Sequence, residues 1–335
     1  MTRLMRTMIL AVLVLGLLPG TALAWIRSPA NAFAKLPPGT THPEGIALGP
    51  DGDLYVANFD VASTQGHVVV FDGNSGRLLR TLTLTTGTNP QPSNLLLGLD
   101  FHPTTHELLV IDFGMAKVLS VDRFTGVSKV FMTLPPLPPP PAPQPGLNAL
   151  TFDRAGNVYV SDSFRGSVWR TGQGGGVATE WVKDPLLTTS GVPPFGANGL
   201  AFNQSQTALF VANTGNDTVV EIPVSGSPLV AGTPFVFVNS INGADGLIID
   251  VQDRIWVVAN QADEIVVLDP SNGRVIAKLG DFGGIGPDGA PNGLLFPASL
   301  VFRGNFLFVT NLSLDLGAAL ADPSKRTVDS PWAAR

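Results

Sequence analysis

The chain has no cysteine, only four histidines and two tyrosines, and charged side chains make up just 14% of its residues. Without cysteine there is neither a disulfide framework nor a lipid-anchored cysteine. Basic residues are few: 20 lysines and arginines stand against 26 acidic residues, for a net charge of −6. No basic patch is visible, which argues against nucleic acid and anionic membrane as partners. Past the N-terminus no apolar run approaches the roughly 20 residues that a spanning helix needs. No Gly-x-Ser-x-Gly elbow occurs, so a serine hydrolase has no visible nucleophile.

What the chain has in quantity is glycine (37) and proline (29), the composition of many short strands joined by turns. Met1 to Ala24 reads as a secretory signal peptide. Arg3 and Arg6 form its positive end, Met8 to Leu18 its apolar stretch, and Ala22-Leu23-Ala24 its small-residue cleavage site. Cleavage after Ala24 leaves a mature chain from Trp25 with no membrane span, periplasmic or secreted, and residues 25–335 are expected to form a single domain.

An apolar segment of one shape recurs six times. It begins at Glu44, Leu97, Asn148, Asn198, Asp245 and Ala298, with spacings of 53, 51, 50, 47 and 53 residues. Self-similarity at such a period marks units that bury their faces only against one another. A second apolar segment follows each start, as in Leu54-Tyr55-Val56-Ala57-Asn58 and Val158-Tyr159-Val160-Ser161-Asp162, and ends in Asn or Asp. Turn sequences such as Gly49-Pro50-Asp51-Gly52 join the two as antiparallel hairpins. A third and a weaker fourth segment complete five of the repeats. Four antiparallel strands per roughly 50 residues predict an all-β, six-bladed β-propeller. The sixth repeat lacks a clear outer strand, and Phe33-Ala34-Lys35-Leu36-Pro37, which is similar to Phe131-Met132-Thr133-Leu134-Pro135, is expected to supply it from the N-terminus and close the ring. The Pro-rich stretch 135–146, with eight prolines between Pro135 and Pro145, should be a stiff loop, either a spacer or a rim over the axis. Residues 312–335 carry little pattern and read as a third strand of the last blade or a frayed tail.

First strands of propeller blades line the central channel, so their leading residues meet at one mouth. Glu44, Asn148, Asn198 and Asp245 would bring two carboxylates and two carboxamides together there. A donor set of oxygens without sulfur or imidazole suits a hard cation, Ca²⁺ first, with Mg²⁺ or Mn²⁺ as alternatives. Asn-Gly and Asp-Gly are also common hairpin dipeptides, so Asn198-Gly199 and Asp245-Gly246 have a turn reading as well. Against it, both stand at junctions between repeats, and Glu44-Gly45 and Asn148-Ala149 share the register. His42, two residues before Glu44, could face the same mouth. Gly284 to Gly289 spells a dinucleotide pattern but has no helix after it.

The stretches His42-Pro43-Glu44-Gly45-Ile46, Leu147-Asn148-Ala149-Leu150-Thr151-Phe152-Asp153, Ala197-Asn198-Gly199-Leu200 and Ala244-Asp245-Gly246-Leu247 resemble the SMP-30/gluconolactonase/LRE-like family of six-bladed propellers. The resemblance implies that Glu44, Asn148, Asn198 and Asp245 hold one divalent cation, usually calcium. It also implies hydrolysis of a small-molecule lactone or related ester, with Asp245 both ligating the cation and acting as general base toward water. Leu97 stands where paraoxonase-like propellers tend to carry histidine, which counts against that mechanism. The blades also resemble NHL repeats, whose usual role is binding a ligand or protein partner, and that remains the alternative reading.

Overall fold

A computed structural model describes residues 28–60, 63, 65–86 and 95–319; the expected signal peptide lies outside them. The fold is an all-β propeller, and its innermost strands are Pro43–Leu48, Leu96–Phe101, Leu147–Phe152, Ala197–Phe202, Ala244–Ile249 and Pro297–Arg303. They adjoin one another in chain order, and the last returns against the first. Together they enclose an axial channel of about 910 Å³, counting space open to solvent.

From each inner strand the chain runs outward through antiparallel neighbours. The first unit pairs in the order Pro43–Leu48, Leu54–Asn58, His67–Phe71 and Leu78–Thr83, and the second, third and fifth repeat this pattern. In the fourth, the strand Thr218–Ser225 pairs with both Val230–Ala231 and Phe235–Val238. Second strands are buried on both faces because each is sandwiched between adjacent units, which is why they read as nearly unbroken apolar runs: Leu54–Asn58, Leu108–Asp112 and Val158–Asp162 are buried throughout.

In the third and fifth units the hairpin between first and second strands is held by one aspartate. Asp153 Oδ1 accepts from the backbone N–H of Ala155 and Asn157, both at 2.9 Å, and its Oδ2 accepts from Tyr159 Oη at 3.1 Å. Asp250 repeats this with the N–H of Gln252 and Arg254 and with Trp256 Nε1, all at 2.9 Å. The turn aspartate and the aromatic on the next strand therefore act as one device.

Among the described residues the sixth unit has two strands, Pro297–Arg303 and Phe306–Asn311. The expected closing strand at Phe33 to Pro37 does not form. Prolines at 29, 37 and 38 remove donors at both ends of that segment. The segment nevertheless lies against the last unit. The Phe33 ring meets Phe308 edge-on at 4.8 Å, Leu36 packs with Val301 and Phe308 against the first unit's Ile46, Leu54 and Val56, and Ser28 O accepts from Gly280 N, just past the fifth unit's outer strand, at 2.9 Å. Among the described residues the final strand is followed by a short helix, Leu316–Ala319, and not by a third strand; residues 320–335 lie outside the described residues.

Candidate metal centre at the channel mouth

Every inner strand carries a β-bulge at its leading residue. Glu44 and Gly45 together oppose Ala57, because Pro43 pairs with Asn58 and Ile46 with Val56. The same slip recurs at Leu96/Leu99, Leu147/Leu150, Ala197/Leu200, Ala244/Leu247 and Pro297/Leu300. A bulge re-aims a side chain that strict alternation would send elsewhere. Here it acts on Glu44, Asn148, Asn198 and Asp245, and all four line one cavity at the channel mouth, with Leu97 in the second unit's position. Glu44, Asn148 and Asn198 also border the channel itself, so the donors stand between mouth and channel.

The glycines after the leading residues serve ring packing. A methyl on Gly98 would lie 2.7 Å from Asn148 O, one on Gly246 would lie 2.5 Å from Ala298 O, and one on Gly45 would overlap Leu97 O. In the first, second, fourth and fifth units the inner strand thus sits directly on the carbonyl of the next unit's leading residue. The Asn-Gly and Asp-Gly pairs are inside strands Ala197–Phe202 and Ala244–Ile249, so the turn reading of these dipeptides is set aside.

The four headgroups are deeply buried, with residue exposures of 7% for Glu44, 3% for Asn148, 5% for Asn198 and 4% for Asp245. For Asn148, Asn198 and Asp245 a partner comes from the residue just past the second strand of the same unit. Asn148 Nδ2 donates to Ser163 Oγ at 3.2 Å, Asn198 Nδ2 to Thr214 Oγ1 at 2.9 Å, and Asn260 Nδ2 to Asp245 Oδ2 at 2.9 Å. Each asparagine nitrogen is committed to a hydroxyl, which leaves the carboxamide oxygen as the group's free pole. Asn198 also hydrogen-bonds Asp245.

Three buried oxygens at this mouth have no partner among the described residues: Glu44 Oε2, Asp245 Oδ1 and Asn260 Oδ1. Desolvation pushes the Asp245 carboxyl up to about 7. Glu44 is raised well above the carboxylate range, first by burial and then by repulsion from Asp245. Two buried carboxyls that repel each other and keep bare oxygens match the demand of a hard cation for oxygen donors, so the residues fit a divalent ion. Among the described residues there is no group of three or more His, Cys, Asp or Glu; half of this donor set is carboxamide.

Ser163, Thr214 and Asn260 were not singled out by the sequence reading. The signal was available in the second strands ending in Asn or Asp, but in the fifth unit Ala259 pairs at that position and Asn260 falls one place later, on the mouth. His42 does not line the mouth cavity; its Nδ1 lies 3.0 Å from Leu312 O. The Pro-rich loop does not line the mouth cavity, where Pro193 and Phe195 stand instead.

The profile described as SMP-30/Gluconolactonase/LRE-like region matches residues 104–280, more than half of the chain. The chain belongs to this family. Similar solved folds include a gluconolactonase of Xanthomonas campestris, 16% identical over 81% of this chain and 84% of that one, with a TM-score of 0.59. Another is a calcium-binding protein, regucalcin, from Agrobacterium tumefaciens, 17% identical over 90% and 93% at a TM-score of 0.60. A luciferin-regenerating enzyme is 16% identical over 83% and 86% at 0.58. No curated protein sequence matches significantly. At these identities the neighbours speak for the propeller fold, and the family assignment rests on the profile. For an SMP-30/gluconolactonase/LRE-like protein, a lactonase-type activity is the family-level expectation.

Proposed function

We propose that this protein is an exported, metal-dependent hydrolase of a lactone or related ester, with Glu44, Asn148, Asn198 and Asp245 holding a divalent cation at the channel mouth. Calcium is the first choice, with Mg²⁺ or Mn²⁺ as alternatives. The observation that carries this reading is the pair of partnerless buried oxygens, Glu44 Oε2 and Asp245 Oδ1, in one cavity. A buried carboxylate without compensation costs several kcal/mol, which a bound cation would offset.

When bound, the cation would polarise the lactone carbonyl and stabilise the developing oxyanion. Asp245 accepts the proton of the attacking water, and Asn260 fixes the carboxylate by holding Oδ2, so Oδ1 stays bare. Ser163 and Thr214 orient the two carboxamides.

In this reading residues 25–335 act as one propeller domain, with the N-terminal segment packed on the sixth unit at Phe308 without adding a strand to it. Export to the periplasm or medium follows from the leader Met1 to Ala24; a secreted product beginning at Trp25 checks it by mass spectrometry.

The decisive experiment is a calorimetric Ca²⁺ titration of the mature protein followed by lactone hydrolysis assays. One ion bound per chain, and turnover that drops roughly 10²- to 10⁴-fold in Asp245→Asn while the fold is kept, are expected. A metal-loaded protein inert toward every lactone, with Asp245→Asn retaining its biological activity, would favour the ligand-binding propeller instead.

A further inference from the structure

The residues just past the second strands divide the mouth into two halves. In the third, fourth and fifth units they are Ser163, Thr214 and Asn260, each bonded to a leading residue or its carboxyl. In the sixth, first and second units the equivalent residues are Leu312, Phe59 and Phe113. The polar half is therefore committed to holding the donor ring, and the other half is hydrocarbon.

The hydrocarbon half is continuous and packed in advance. Phe59 meets Phe113 edge-on at 5.8 Å, and Phe113 lies 5.7 Å from Phe164 and 6.2 Å from Phe195, whose rings are 5.4 Å apart. On the other side Leu312, Leu314 and Leu316 pack with Phe296 in one buried cluster, against which Phe59 also rests. Phe59, Phe195, Phe296 and the three leucines line the same cavity as the four donors. The cavity opens to solvent, and its empty space, counting the open part, is about 430 Å³. Among the described residues no lysine, arginine or histidine lines it.

We propose that the ligand of this site is a lactone or ester bearing an apolar alkyl or aryl substituent, and that polyhydroxylated sugar lactones are discriminated against. This rests on the lactonase reading above. Ring hydroxyls of a sugar would be stripped of water against Phe59, Phe195 and Leu314 without receiving partners, an uncompensated loss. An alkyl chain gains from the same surface about as much as any buried methylene.

Three δ-lactones sharing one ring separate these cases: the bare ring, the ring with a pentyl chain, and glucono-δ-lactone. On the Ca²⁺-loaded protein kcat/KM should rise roughly fourfold per methylene until the cavity is filled, and the sugar lactone should fall below the bare ring. The matching lactams, which resist hydrolysis, should show the same order of affinity by calorimetry. Phe195→Ala and Leu314→Ala should each lower the pentyl-to-bare-ring ratio about tenfold, and a ratio taken within one preparation is insensitive to loss of folded protein. Equal or better turnover and binding of the sugar compounds would overturn the inference and leave the lactonase reading intact. A pentyl preference in lactam binding with no lactone hydrolysed would remove the lactonase reading and keep the apolar pocket.

Discussion

Asn260 Nδ2 satisfies one oxygen of Asp245 and leaves the other bare, and Glu44 likewise keeps one oxygen without a partner. Both carboxyls are raised, so between roughly pH 4 and pH 7 the metal-free folded protein holds protons that the unfolded chain has released. Stability of the chelated protein should therefore fall as pH rises through that window. The depressed carboxyls Asp72, Asp122, Asp250 and Asp269 act in the opposite sense and lower down: their contribution is present above the ordinary aspartate value and is lost as pH falls further. Thermal melts with a chelator at pH 5, 6 and 7.5 check the decline. Asp245→Asn should make it shallower, with Glu44 and Asp100, whose carboxyl burial raises to about 6, carrying the remainder, and Ca²⁺ should stabilise most at the highest pH; a flat profile in the parent protein would refute the account.

At the scale of the element, the bulged inner strand does two things at once. It turns the leading side chain toward the mouth, and through its glycine it lets the next unit's carbonyl approach. Gly246→Ala would drive a methyl to within 2.5 Å of Ala298 O, which is backbone and cannot swing aside. A loss of about 2 kcal/mol or more in urea unfolding is expected, together with weaker Ca²⁺ binding because Asp245 is the adjacent residue. Gly174→Ala, where a methyl would meet nothing within 4 Å, should change stability by no more than about 0.5 kcal/mol. Period and alternation in the sequence were sufficient to locate all six inner strands. The bulges were not legible, because a bulge is a relation between two strands and leaves no mark on either alone.

At the scale of the whole molecule, the ring is joined where the last unit meets the first. Thr310 Oγ1 donates to Glu44 O at 2.6 Å and bonds the backbone of Ser299 beside it, at 3.0 Å from its N–H and 3.3 Å from its O. Thr310→Val keeps the shape and removes these bonds, leaving buried groups unpaired at a cost of roughly 1–3 kcal/mol. Because Glu44 sits on that seam, the same substitution should weaken Ca²⁺ binding, read by calorimetry. It should also lower the melting temperature more in the presence of Ca²⁺ than in chelator, since binding to the folded state adds to stability by mass action. An unchanged affinity would separate ring closure from the metal centre.

Local chemistry alone determined the repeat, its hairpins and the four oxygen-bearing starts, since strand alternation and turn residues act within a few positions of one another. That Ser163, Thr214 and Asn260 hold those donors, that Phe195 and Leu314 wall the mouth in place of the Pro-rich loop, and that residues 28–36 pack on Phe308 without forming a strand were decided only by tertiary structure. Each of these depends on contacts between units or between chain ends, where packing and the supply of backbone donors outweigh any preference encoded along a short stretch.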